Sequence, residues 1–268
     1  MWSLDQPYIL RAEPLLAGTP LALLAVLAVG AGASAVLVGL QVAPPLVLRI
    51  AGVTAGHGAL LVTALAWSGV RSSSCVVAVA LLALAATAAA VVPLGAGAYL
   101  LPALWILWLA MRGRLAVLGL GTPIPPQGLI AGALVGAGLS THLLISASRT
   151  LGVQTRIDHV PDVLAAMAYD VGANVLAAEC FFRGALFQRS QRRWSFAAAA
   201  AVATVAYVAR YVVDPLLPKT VELMIGAVFY LALLGVINCW LMWRYESLVP
   251  GLVSALVFFA AYRTLGAG

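Results

Sequence analysis

Charge is what this sequence has least of. One lysine, Lys219, 14 arginines and nine acidic residues make up 9% of 268 residues, where a soluble domain carries about 25%. That shortage excludes a soluble globular domain, and 63% hydrophobic residues at a mean hydropathy of +1.05 point to a membrane protein. The first residues, Met1-Trp2-Ser3-Leu4-Asp5-Gln6-Pro7, lack a basic region and no small-residue cleavage site follows. The first apolar run is therefore expected to stay as a membrane span rather than to be removed. Cysteine is scarce too: Cys75, Cys180 and Cys239 lie in or beside apolar runs without metal-like spacing. They read as buried inert thiols, not as a disulfide framework. Of the three histidines, none forms an HxxxH or HExxH pair, so neither a metal nor another cofactor is expected. His57 and His142 read as hydrogen-bonded bundle residues, and His159 with Asp158 and Asp162 as a solvated loop.

What is present is a series of apolar runs of the length that crosses a bilayer as helix, roughly 17–25 residues. They fall near 17–40, 45–69, 74–92, 95–111, 128–147, 163–187, 195–213, 221–243 and 249–265. The fold class this predicts is all-α, a polytopic transmembrane helical bundle of about eight to nine membrane spans. Pro44-Pro45 opens the second run, and Pro123-Ile124-Pro125-Pro126-Gln127 precedes the fifth, both as helix-breaking stretches. The third and fourth runs read as a tight helical hairpin or as one kinked feature. No period of 20–50 residues recurs, so no repeat architecture is expected.

The net charge of +6 would suggest nucleic acid in a soluble protein. Here most arginines sit between apolar runs, which points to membrane topology, with the lipid bilayer as partner and no nucleic acid. The N-terminus and every second loop hold Arg11, Arg71, Arg112, Arg114, Arg189, Arg192, Arg193 and Arg244. The opposite loops and the C-terminus hold mainly Arg149, Arg156, Lys219 and Arg263. This bias places the N-terminus and the Gln188–Trp194 loop in the cytoplasm. Arginine over lysine and abundant alanine hint at a GC-rich prokaryote, hence a plasma (inner) membrane. Gly128, Gly132, Gly136 and Ser140 form a small-residue stripe on the fifth span, read as a helix-packing face.

Inside the sixth span, AAECFFRGALF (Ala177–Phe187) places Glu179 and Arg183 four residues apart. They share a helical face and can pair. A charged side chain at mid-bilayer costs roughly 2.5–3.5 kcal/mol, so such a pair marks a functional site or a neutralised packing contact. Asp170 and Asn174 make a second pair of the same spacing. Asp170 and Glu179, nine residues apart, fall nearly half a turn out of phase, so this helix is expected to be surrounded by other helices. Arg210 is expected to snorkel at the outer end of the seventh span or to pair with Asp214.

Glu179-Cys180-Phe181-Phe182-Arg183-Gly184 resembles the first motif of the CPBP family (CAAX prenyl protease and bacteriocin-processing intramembrane proteases), Glu-Glu-x-x-x-Arg. Arg189–Trp194 resembles the basic turn that follows it. Ile225–Phe229 through Trp243–Leu252 resembles the last two helices, with a Ser-Leu-x-Pro start at Ser247-Leu248-Val249-Pro250. The resemblance covers about 163–265 and implies N-terminal transmembrane helices over 1–127 and a CPBP-like core over 128–268. It also implies an endopeptidase, but most of that chemistry is replaced. Ala178 stands at the water-activating glutamate, Tyr211 at the histidine of the second motif, and Ala255 and Phe259 at the His-x-x-x-Asn of the third. Glu179 and Arg183 remain, with Tyr211 as a substitute donor. Peptide hydrolysis needs a base for water and donors for the oxyanion, which this set supplies poorly.

The reading is a catalytically degenerate member that binds a membrane protein or a lipid-anchored peptide through the cavity its active relatives use. The alternative is an active intramembrane endopeptidase with a rearranged site on Glu179, assisted by Tyr211 or Arg210. A transporter or channel would rest on Asp170, Asn174, Glu179 and Asn238, without the paired broken helices of that class.

Overall fold

The computed structural model describes residues 20–42, 44–152, 160–212 and 221–265. Each apolar run becomes a helix: α1 (Leu21–Gly39), α2 (Pro45–Trp67), α3 (Ser72–Val91), α4 (Gly95–Met111) and α5 (Pro126–Leu151). After these come α6 (Val160–Gln191), α7 (Phe196–Val212), α8 (Val221–Tyr245) and α9 (Val249–Tyr262). No β-strand occurs among the described residues. Proline sets several starts: α2, α5 and α9 carry it in the first turn, where its missing N–H would lack a helical partner anyway. α6 begins Val160-Pro161-Asp162, adding a carboxylate at the positive end of the helix dipole. Gly152, left-handed at φ 64, terminates α5.

The third and fourth runs form a tight hairpin. Val92 turns extended, Leu94 is left-handed at φ 63, and Gly95 opens the 3-10 turn that starts α4. A Cβ on Gly95 would collide with the Ala88 carbonyl oxygen.

Six helices, α1, α2, α3, α5, α6 and α8, are long and apolar enough to cross a membrane. The other three are shorter. α7 has 17 residues and α9 has 14. At about 1.5 Å per residue they fall short of a hydrocarbon core of ~30 Å. The architecture is thus a polytopic helical bundle of six long helices with shorter apolar ones packed among them.

α6 is the axis of the bundle. Its apolar window is 56% buried, against 11–39% for the other long helices, and it packs on α2, α4, α7, α8 and α9. Two stretches of it, Asp170–Asn174 and Glu179–Phe187, are π-helical. The wider i→i+5 turn changes the angular step per residue, so the half-turn offset expected between Asp170 and Glu179 from a regular α-helix does not apply. Gly172 lets this helix lie against α4, since a Cβ there would collide with the Tyr99 carbonyl oxygen.

The small-residue stripe of α5 docks α9. A Cβ on Gly132 would strike the Pro250 carbonyl oxygen, and one on Gly136 would come within 2.6 Å of the Ser254 carbonyl oxygen. The Ser140 hydroxyl donates to the Val257 carbonyl at 3.2 Å. α5 therefore supports α9 from behind, while Gly251 on α9 faces Glu179 of α6.

The ends of α2, α4, α6 and α8 lie at one end of the bundle. The Leu248 N–H donates to the Gly119 carbonyl at 3.0 Å, and the Ser247 hydroxyl reaches the same oxygen at 3.3 Å. Leu118 touches the position of Gly184, and the Arg189 guanidinium lies 4.5 Å over the Trp67 ring. This end collects Arg71, Arg112, Arg114, Arg189, Arg192, Arg193 and Arg244. The Ser-Leu-x-Pro start of α9 is anchored here by the loop after α4.

Candidate functional site

Glu179 and Arg183 sit at the centre of the bundle, 1% and 0% exposed. They form an ion pair, with Arg183 Nη1 3.2 Å from Glu179 Oε1. A second helix completes the group: Asn238 on α8 donates from Nδ2 to Glu179 Oε1 at 3.2 Å and to the Gly251 carbonyl at 3.1 Å. On its other side Arg183 lies flat on α7, its guanidinium carbon 3.8 Å from the centroid of the Tyr207 ring. Glycine makes room at two points. A Cβ on Gly251 would stand 3.2 Å from Glu179 Oε2, and one on Gly235 would stand 2.7 Å from Thr204 Cγ2 and 3.2 Å from Arg183 Nη2. The pair is thus held by α6, α7, α8 and α9 together.

Several polar atoms around the pair are buried without a hydrogen-bond partner: Glu179 Oε2, Thr204 Oγ1, Asn238 Oδ1 and the Arg183 nitrogens, of which Nη1 makes the ion pair alone. Buried polar atoms are nearly always satisfied by protein or ordered water, so their concentration at one place defines a polar locus inside an otherwise apolar bundle.

The positions where the family resemblance expects its base and its donors also converge. Ala178, Tyr211, Ala255 and Phe259 belong to one buried apolar cluster with Val175, Phe182, Tyr207, Tyr230, Leu231, Leu234 and Phe258. The Tyr211 and Phe259 rings stack, with centroids 5.9 Å apart and 22° between planes. The topology therefore brings together residues from α6, α7 and α9 as a catalytic constellation would need. What fills that place is methyl groups and aromatic rings.

The Tyr211 hydroxyl is engaged with another residue: it donates to Asn174 Oδ1 at 2.9 Å. Asn174 belongs to a second polar network toward the opposite end of α6. Its Nδ2 donates to Asp170 Oδ1 at 2.9 Å, the i,i+4 pairing expected from the sequence. Arg263 grips Asp170 with two bonds, Nε to Oδ2 at 2.9 Å and Nη2 to Oδ1 at 2.8 Å. Arg210 does not snorkel outward. Its Nη1 donates to Asn174 Oδ1 at 2.9 Å and its Nη2 lies 2.7 Å from His57 Nε2. Asp214, its expected partner, lies outside the described residues, as do Asp158 and His159. His57 Nδ1 is 3.0 Å from the Val53 carbonyl, so that nitrogen carries the proton and Nε2 accepts, from Arg210 and from the Tyr169 hydroxyl at 3.1 Å. His142 meets the Tyr230 hydroxyl at 2.7 Å. Both histidines are thus hydrogen-bonded bundle residues.

Sequence reasoning paired Glu179 with Arg183 and missed Asn238 and Tyr207 as their partners. Asn238 stood out only as a polar residue in an apolar span, and its partner lies 59 residues away. Among the described residues no three His, Cys, Asp or Glu side chains converge as a metal would need.

A protein-family model described as "Type II CAAX prenyl endopeptidase Rce1-like" matches residues 161–260, the stretch that carries Glu179, Arg183 and Asn238 and, of the second network, Asp170, Asn174, Arg210 and Tyr211 but not His57 or Arg263. No curated protein and no solved structure matches the chain.

Proposed function

We infer that this is a CAAX protease-like, multi-pass integral membrane protein of the CPBP family, on the match of residues 161–260 to the Rce1-like family model and on its membrane-length helices. From that premise we propose that it is a non-catalytic homologue that binds a membrane partner, a membrane protein or the lipid-anchored end of a peptide. One observation carries this reading: Ala178, Tyr211, Ala255 and Phe259 meet in a buried apolar cluster. Water cannot be activated by an alanine, and an oxyanion cannot be held by a phenylalanine ring. The retained Glu179 is committed to Arg183 and Asn238, which makes it an element of packing rather than a base. A scaffold that keeps its family's helices without the hydrolytic side chains retains binding as the function it can perform.

The reading extends to placement. The arginine-rich end of the bundle supports a cytoplasmic position for the Gln188–Trp194 loop and the N-terminus, in the plasma (inner) membrane.

A second reading has its own observation. The atoms without a hydrogen-bond partner at Glu179, Arg183, Thr204 and Asn238 mark a locus that would hold water, which favours an endopeptidase with a rearranged site on Glu179. In that reading Tyr211 and Arg210 assist only by moving, since both are engaged with Asn174.

The test is binding of a fluorescent, prenylated CAAX-type peptide to the protein in lipid nanodiscs, followed by recovery of the peptide. Saturable binding with the peptide intact is expected. No saturable binding would remove the partner proposal for this class of ligand, and recovered fragments would refute the non-catalytic one.

A further inference from the structure

A cavity unrelated to the Glu179 locus opens at the arginine-rich end. It has a volume of about 250 Å³ and lies between the end of α2, the 3-10 turn Ala116–Leu118 and the last turns of α6. Its walls are of two kinds. Trp67, Val117, Leu118 and Ala185 give it apolar lining, and Gln188, Arg189 and Arg192 give it polar and basic lining. We propose that it binds the phosphodiester headgroup of one anionic phospholipid.

Four features of the site support this. Arg189 is fixed in place, its guanidinium carbon 4.5 Å over the Trp67 ring and its Nη2 within 3.5 Å of the Trp67 carbonyl. Gln188 brings a buried Nε2 with no partner in the protein, a donor in search of an acceptor. Arg192 is exposed at the rim. The volume lies below the ~300–1,000 Å³ of sites that enclose drug-sized ligands, which suits a headgroup and not a nucleotide cofactor. A phosphodiester offers the oxygens that two guanidiniums and an amide would bind.

Phosphate chemistry could also come from the free anion. The location decides for lipid. The cavity sits where two long helices, α2 and α6, end, which is headgroup depth, and Val117 in its apolar wall is 48% exposed beside it. Acyl chains would continue over apolar surface of this kind. Basic pockets between membrane helices at the cytoplasmic side bind anionic headgroups on these terms.

The experiment titrates the full-length protein, in neutral detergent, with dioleoyl phosphatidylglycerol and reads bound lipid by native mass spectrometry. One tightly held phosphatidylglycerol is expected, with phosphatidylcholine held at least about tenfold more weakly. Arg192→Gln should weaken that lipid about fivefold. Gln188→Met, which removes the donor and keeps the length, should weaken it by several-fold as well. Arg244→Gln, which removes a charge at the same end but outside the cavity, should leave it unchanged. Equal retention of the two lipids would overturn the proposal. So would an equal loss in Arg192→Gln and Arg244→Gln, which would show diffuse surface charge. Displacement by inorganic phosphate at the lipid's own concentration would also overturn it, in favour of a soluble anion.

Discussion

Removing either member of the Glu179–Arg183 pair should destabilise the protein far more than removing both. The two side chains are 1% and 0% exposed and 3.2 Å apart, so neither can turn to water when its partner is lost. Breaking such a pair costs about 3–5 kcal/mol, because one buried charge is left uncompensated. Glu179→Gln keeps an acceptor for Asn238 Nδ2 and strands the guanidinium. Arg183→Met strands the carboxylate and also loses the contact with the Tyr207 ring at 3.8 Å, worth up to about 2 kcal/mol when desolvated. Independent effects would sum to roughly 6–10 kcal/mol in the double variant. The ion pair instead predicts a double variant more stable than either single one, with a coupling of about 3 kcal/mol or more. Unfolding of the four proteins in detergent, followed by intrinsic fluorescence, measures all terms of the cycle. Additivity within about 0.5 kcal/mol would refute the pairing and free Glu179 for another role.

Other expectations follow from particular contacts. Gly132→Ala and Gly136→Ala should each cost about 1–3 kcal/mol through overpacking against α9, while Gly138→Ala, with nothing within 4 Å, should be neutral in the same unfolding assay. Tyr211→Phe removes one hydrogen bond to Asn174 and should cost about 0.5–1.5 kcal/mol; a loss well above that would place Tyr211 among the supports of the ion pair. Cysteines introduced at Trp194 and Thr150, both exposed, should be labelled from opposite faces of intact membranes, over a low background because Cys75, Cys180 and Cys239 are buried. Labelling of both from one face would contradict the topology.

The helices were legible because a bilayer-length apolar run bounded by proline, glycine or arginine has few other ways to fold in lipid. Pro44-Pro45 and Pro125-Pro126 marked the starts of α2 and α5, and the α5 stripe announced a close contact without naming α9 as its partner. The central place of α6 was legible as well, since Asp170, Glu179 and Arg183 on one span are costly against lipid, although the two-face offset that the sequence suggested is changed by the π-helical turns. Local spacing carried the Asp170–Asn174 and Glu179–Arg183 pairs. Contacts between helices were not legible. Asn238 reaches Glu179, Arg210 reaches His57 153 residues away, and Arg263 reaches Asp170, because helix packing brings them together and no local pattern encodes it. The π-helical turns were equally hidden. They depend on tertiary packing around Asp170–Asn174 and Glu179–Phe187, not on a propensity visible in those residues.

The central claim is that the apolar cluster around Ala178, Tyr211, Ala255 and Phe259 leaves no peptide hydrolysis. Its direct test is turnover of a prenylated CAAX-type peptide and of a transmembrane peptide by the purified protein in liposomes, with products read by mass spectrometry. The same measurement is made on Glu179→Gln. The account predicts no product above the protein-free control for either protein. Cleavage by the native protein that Glu179→Gln abolishes would contradict it and establish a rearranged catalytic site on Glu179.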